Sequence, residues 1–296
     1  MMETSIQRII AGLLDLKDKI TLLLNDYSKI KRTIFQHDGF IRMSGDYDYC
    51  PLPTEAISLQ NQIFVLFNLR FDLIDALLVD STKDHKRTIK DNREDISDYI
   101  LQNRGTHLGN IKDAVFYLNQ RFEKVIQVLN LLFPSSDPRP IIIPDSNALY
   151  LNTDIEEWYF EGFDKFTIIL TPSVLKDLDR HKIEHRNEAV RKKAIKLINK
   201  IKNYRGRGSL IKGVPIISGR IDLKSIAVEP DFSKALKWLD PENDDDRLIA
   251  EAFDIIRANC NHPGYIVTAD INLQNKCEMS ELPFIEPPVP AQKLKK

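Results

Sequence analysis

The chain has 296 residues, 43% hydrophobic and 29% charged, with a formal net charge of -1. That length allows one large or two smaller domains with sizeable cores, and the composition is that of an ordinary globular protein rather than a fibrous or disordered one. No stretch approaches the roughly 20 uncharged apolar residues that a membrane span requires.

The first 135 residues read as a helical domain. "SIQRIIAGLLDLKDKITLLL", "AISLQNQIFVLFNLRFDLIDALLV" and "NIKDAVFYLNQRFEKVIQVLNLLF" carry apolar residues at helical spacing, as expected for a bundle or antiparallel hairpin. The segment "QHDGFIRMSGDYDYCPLPTE" reads as loop. The start of the chain has charges every few residues, unlike a signal peptide. Three widely spaced cysteines, Cys50, Cys260 and Cys277, fit a reducing, cytoplasmic setting and no structural zinc site. "FPSSDPRP" then supplies a linker.

Beyond it the pattern changes to short apolar runs alternating with helical stretches. "IIIP", "FTIIL", "GVPIISGRIDLKSIAV", "GYIVTAD" and "LPFIE" read as strands. Among the helices, "TPSVLKDLDRHK" opens with Thr171 as N-cap and Pro172 at its first position. "NEAVRKKAIKLINKIKNY" and "NDDDRLIAEAFDIIRANC" follow, the latter with acidic residues at its dipole-favoured end. Alternation of this kind predicts an α/β domain with a parallel sheet over residues 139–286. Residues 287–296 read as a disordered tail.

Two of the strands end the same way, in an aspartate: "IIIPDSN" in Asp145 and "YIVTAD" in Asp270. In a parallel sheet, strand carboxyl ends share one edge, and the helices that follow begin there. The edge therefore receives Asp145, Asp270 and the first turn of the "NDDDR" helix, while Asp177 lies two turns into its own helix. Crowded carboxylates raise one another's pKa, and a hard divalent cation relieves the repulsion. Mg²⁺ or Mn²⁺ held this way supports phosphodiester hydrolysis. A plainer reading makes Asp145 the N-cap of the turn that follows.

Between Arg180 and Lys212 the sequence holds twelve basic residues against two acidic ones, Glu184 and Glu188. On a helix this is either a solvated face or a surface for a phosphate backbone, with Lys192, Lys193, Lys196, Arg205 and Arg207 as candidate contacts. Ala194, Ile195, Leu197, Ile198 and Ile201 read as the inward face of that helix. "HKIEH" fits the H-x-x-E-H pattern of inverted zinc peptidases, but it sits among positive charge and lacks a matching downstream glutamate. A haloacid-dehalogenase site needs a second aspartate where this chain has Asn147.

The segments "IIIPDSNAL", "VLKDLDR", "DRLIAEA" and "IVTADINL" together resemble, in order and context, the PIN-domain nuclease family over about half the chain. The resemblance implies a three-layer α/β/α domain with a central parallel sheet, preceded here by an all-α domain. It also implies metal-dependent RNA hydrolysis by Asp145, Asp177, Asp246 and Asp270. Asp145, Asp246 and Asp270 would hold Mg²⁺ or Mn²⁺, with Asp245 the alternative to Asp246 and with Asn147 and Thr268 as polar supports. Asp177 departs from the glutamate usual at its position. Two alternatives stand beside this: a scaffold that binds RNA or protein without cutting, and a nuclease for structured DNA. The apolar helix faces of the first half suit self-association, substrate recognition or a protein partner.

Overall fold

A computed structural model of the chain describes residues 3–37, 40–103, 105–134 and 139–289. The chain divides into two compact units, Ile6–Leu132 and residues 133–289 with 3–5. Among the described residues no helix is long and apolar enough to cross a membrane.

The first unit contains α1 (Ser5–Leu22), which ends in a π-helical turn, β1 (Ile30–His37), β2 (Phe40–Tyr49), α2 (Thr54–Leu77), α3 (Lys83–Leu101), β3 (Gly105–Thr106) and α4 (Ile111–Leu132). Its core comes from residues recurring every three or four positions. Ile9, Leu13, Leu16 and Ile20 of α1, Ile63, Phe67, Phe71 and Ile74 of α2, and Leu118, Phe122, Val125 and Leu129 of α4 are all buried. The helix α3 is more polar and buries only Ile89, Asn92, Ile96 and Ile100. It begins on Thr82, whose side chain accepts a hydrogen bond from the His85 N–H.

The unit is not all-α, and the segment read as loop is mostly strand. The strands β1 and β2 pair antiparallel from Ile30↔Tyr49 to His37↔Phe40, with an irregularity between Arg32 and Ile34, and β3 pairs with β2 at Tyr47↔Thr106. The physical signal was present: β-branched and aromatic residues on both sides of an Asp-Gly dipeptide, the commonest kind of hairpin sequence. Its polar residues and glycines masked it. The middle of the expected linker (135–138) and most of the expected disordered tail (290–296) lie outside the described residues.

The second unit is mixed α/β. In chain order it runs β4 (Ile141–Pro144), α5 (Ser146–Leu151), β5 (Phe166–Leu170), α6 (Pro172–Glu184), α7 (Glu188–Arg205), β6 (Val214–Ile217), β7 (Ile221–Ser225), α8 (Asp244–Ala258), β8 (Gly264–Val267), α9 (Ile271–Met279) and β9 (Phe284–Ile285). The six strands lie in the order β6-β7-β5-β4-β8-β9, and all neighbours are parallel except β6 with β7.

Every residue of β4, β5 and β8 is buried, which explains their unbroken apolar runs. The first strand, β4, lies between β5 on one side and β8 on the other. The strand order therefore reverses at β4, the position in such sheets beyond whose carboxyl end ligands bind. The register Pro144↔Val267 carries on into a hydrogen bond from the Asp145 N–H to the Val267 carbonyl, 3.0 Å.

Ile142 is fully buried at the centre of this sheet. Ile142→Ala should cost roughly 2–5 kcal/mol through lost burial and the cavity left behind, read as a lower urea midpoint with an unchanged denaturant slope.

Candidate functional site

The site is built where β4 and β8 end. Asp145 follows Pro144 directly and is 6% exposed. One carboxylate oxygen, Oδ1, accepts from the Ala148 N–H at 2.5 Å, so Asp145 does cap α5. The other, Oδ2, accepts from the Thr268 hydroxyl at 2.5 Å, across the β4–β8 pair. Thr268 is fully buried and its Oγ1 also accepts from the Asp270 N–H, 3.0 Å. Asp270 in turn caps α9, with Oδ1 accepting from Asn272 N at 2.8 Å and Leu273 N at 3.3 Å. The strand-end aspartates are thus helix caps, and the capping reading holds for both.

Capping does not account for the electrostatics at Asp145. Burial pushes its carboxyl up from the ordinary 3.8 to about 6, and the charges of Asp270 and Asp245 push the same way. The bonds from Thr268 and Ala148 oppose them. The charges of Asp245 on α8 and Asp270 at the start of α9 therefore both act on Asp145 at this edge.

The helix α8 starts on Asn243, whose Oδ1 accepts from the N–H groups of Asp245 (3.0 Å) and Asp246 (3.2 Å). Asp246 is buried, and its Oδ2 accepts from the Asp240 N–H at 2.9 Å. Its Oδ1 meets the Lys276 ammonium at 2.7 Å. That ammonium, carried on α9, also donates to Asn243 Oδ1 at 3.0 Å and lies 3.5 Å from Asp245 Oδ2. Asp246 is the more deeply held of the two candidate ligands, whereas Asp245 is the one whose charge bears on Asp145. The third acid of the run, Asp244, pairs with Arg180 at 3.3 Å.

Asp177 reaches the same region from α6. Its Oδ2 accepts from the Ser146 hydroxyl at 3.2 Å and its Oδ1 from Arg180 at 2.5 Å. Burial raises its pKa, opposed by Arg180 and assisted by Asp244. Asn147 is exposed and no hydrogen bond ties its side chain to the carboxylates.

The five basic candidates are all on exposed positions of α7 or just past its end, but most are engaged within the chain. Lys192 pairs with Glu188 at 2.9 Å, and Lys193 donates to the Tyr150 carbonyl at 2.7 Å. Lys196 and Lys200 both hold Asp154 Oδ1, at 2.7 and 2.6 Å. Arg207 lies over the Tyr204 ring, 5.0 Å from its centre. Ala194 and Leu197 are buried as expected, but Ile195 is 46% exposed and does not belong to the inward face. In "HKIEH", α6 ends at Glu184, and the His181 Nδ1 lies 3.0 Å from the Tyr150 hydroxyl.

Reading the sequence missed four participants. Lys276, Asn243 and Arg180 carry the charge balance of the edge. Asn243 carried a signal, since an Asn ahead of an acidic helix start is a strong N-cap. Lys276 and Arg180 carried none, because each meets its distant partner only through folding.

The fourth is Glu251 on α8, 2% exposed. Its Oε1 accepts from the Ser173 N–H at 2.9 Å and its Oε2 from the Ser173 hydroxyl at 2.5 Å. Thr171 holds the N-cap position of α6, as expected, but makes no side-chain capping bond there. Glu251 supplies that cap from another helix, and burial raises its pKa.

Asp145, Asp245 and Asp270 offer carboxylate oxygens, the hard donors that a divalent ion takes. Among the described residues, however, no group of three or more His, Cys, Asp or Glu side chains is placed to hold a metal ion. Asp246 is turned to Lys276 instead.

Two outcomes follow for stability. Asp145 has a folded-state pKa above its unfolded one, so the folded chain retains a proton between pH about 4 and 6 that the unfolded chain has released. Stability is therefore fullest below that window and falls as pH rises through it, by about 3 kcal/mol in total. Asp145→Asn keeps the bond from the Ala148 N–H but cannot accept from the Thr268 hydroxyl, and its melting temperature should lose the fall that wild type shows as pH rises from about 4 to 7. Glu251→Ala strands the Ser173 N–H and should cost about 1–3 kcal/mol; Glu251→Gln, which can still accept, should recover most of it in thermal melts.

No protein-family model matches the chain, and no curated protein matches it in sequence.

Proposed function

We propose that residues 139–286 form a PIN-like nuclease domain that hydrolyses RNA phosphodiester bonds with Mg²⁺ or Mn²⁺. The observation that carries this reading is Asp145. A carboxylate is buried at the carboxyl end of the central strand, at the point where strand order reverses, and the charges of Asp270 and Asp245 act on it. Asp145, Asp270 and Asp245 would hold the ion, with Asp246 beside them. When bound, the ion would polarise a phosphoryl oxygen and ionise a water.

The remaining roles fall to the chain itself. Thr268 and the Ala148 N–H fix the orientation of the Asp145 carboxylate, one bond to each oxygen. Asp177, held between Ser146 and Arg180, is placed to orient water at the same edge, one methylene further back than a glutamate would be. Lys192, Arg205 and Arg207 on the exposed side of α7 would contact the phosphate backbone, while Lys193 and Lys196 chiefly fasten α7 to the Tyr150 carbonyl and Asp154.

A second reading is favoured by one observation. The Lys276 ammonium already neutralises Asp246, and a scaffold that binds RNA or protein without cutting needs no metal. Incubating the purified protein with single-stranded RNA and with structured DNA, each with and without Mn²⁺, separates these readings. The expected outcome is metal-dependent cleavage of RNA, reduced at least hundredfold by Asp145→Asn. A thermal melt of the variant alongside the assay separates a loss of activity from a loss of fold. Equal cleavage by the variant would overturn the assignment, and preference for DNA would change the substrate.

A further inference from the structure

Alternation along β7 buries Ile221 and Leu223 on one face and turns Asp222 and Lys224 to the other. Asp222 is paired with Arg139 at 2.7 Å. Lys224 is the register partner of Ile169 on β5, so the two side chains share a face. With Ile226, Ile255 of α8 and the exposed Ile211 and Val228 they line a pocket of about 470 Å³, the size of a small-molecule site. Its walls are fixed through the backbone: the Ser225 N–H donates to the Leu210 carbonyl and the Ile226 N–H to the Leu170 carbonyl, each at 3.0 Å. Gly213, at φ +105°, leaves room for the Lys224 stem, since a Cβ there would stand 3.1 Å from Lys224 Cε and 3.3 Å from its Cγ. The two acids that line the pocket are already engaged, Glu251 with Ser173 and Asp254 with Arg257. The Lys224 ammonium has no hydrogen bond or ion pair among the described residues.

We propose that this pocket binds a small amphipathic carboxylate, with its hydrocarbon part among Ile169, Ile226 and Ile255 and its carboxylate on the Lys224 ammonium. None of these residues belongs to the acidic edge, so the site is independent of the nuclease reading. The class of ligand follows from the pairing of apolar walls with one uncompensated charge. A neutral ligand entering the pocket would strip water from the ammonium and give it no partner, and a cationic one would be repelled. A carboxylate replaces that water with a charge-assisted hydrogen bond. A single ammonium balances a single negative charge, and the pocket offers no arginine fork of the kind that holds a phosphate. Were the wall only structural, a methionine at position 224 would cover it without desolvating a charge.

The test is calorimetric titration of the full chain with octanoate, hexanoate, octanol, octylammonium and octyl phosphate. Octanoate should bind and raise the melting temperature. Hexanoate, two buried methylenes shorter, should bind about tenfold more weakly, and octanol and octylammonium at least tenfold more weakly. Lys224→Met should melt like wild type without ligand, because no ion pair is lost, yet bind octanoate at least tenfold more weakly while binding octanol no worse. Lys224→Gln serves where the methionine variant does not fold. Ala258 is exposed and lines the same pocket, so Ala258→Trp should block octanoate without disturbing the core. Octanol, octylammonium or octyl phosphate binding as tightly as octanoate, or octanoate binding that survives loss of the Lys224 charge, would overturn the carboxylate assignment. No octanoate binding at millimolar concentration, or binding unchanged in Ala258→Trp, would overturn the site itself.

Discussion

The second unit is organised around burying a carboxylate. Strand β4 is apolar along its whole length and is flanked on both sides by strands that are equally buried, so whatever follows Pro144 is drawn into a place of low dielectric. Asp145 arrives there with one hydroxyl and one backbone N–H to replace the water it has lost. Those two bonds do not cancel the desolvation, which is why its pKa stays well above the usual carboxylate value. The β4–β8 register then determines what else can be near. Thr268 stands opposite Asp145 because the Asp145 N–H bonds to Val267, and Asp270 lies two residues further on.

The surroundings are arranged to manage negative charge that the fold has concentrated. Asn243 and the first turn of α8 stabilise Asp245 and Asp246 through backbone N–H groups and the helix dipole. Lys276 on α9 then meets Asp245 and Asp246 of α8, and Arg180 joins Asp177 of its own helix to Asp244 of α8. The basic run behaves likewise on α7, where Lys193, Lys196 and Lys200 are turned to Tyr150, Asp154 and Glu156. A sequence with an excess of ten basic residues between Arg180 and Lys212 and acids elsewhere thus neutralises itself locally. What remains for a long phosphate chain is narrower than the raw count of lysines and arginines implied.

How much of this could be read beforehand follows from the range of each interaction. Strands β4, β5 and β8 announce themselves as unbroken apolar runs, and the aspartates at two of their ends are visible in the same segments. Caps are also local: Thr171, Asn243 and Asp270 stand one residue before their helices. The hairpin of β1 and β2 was local too, but a helical neighbourhood and a polar composition hid an Asp-Gly turn signal. Lys276, Glu251 and Arg180 were not legible at all. Glu251 caps a helix 78 positions earlier in the chain, and Lys276 meets Asp246 from 30 positions later. Nothing in the periodicity of α8 or α9 distinguishes those residues from solvated ones. The choice between Asp245 and Asp246 belongs to the same class, because it depends on which carboxylate the ammonium has claimed.

A carboxylate that lowers stability at neutral pH needs a reason to be there. An asparagine would still cap α5 with its amide oxygen and would desolvate no charge, giving up only the bond accepted from the Thr268 hydroxyl. Buried carboxylates with raised pKa values concentrate at functional sites, and Asp145 has that character. Lys276 does not reverse this reasoning. If neutralisation were the only requirement, an amide at Asp246 would satisfy it more cheaply than a half-buried ion pair.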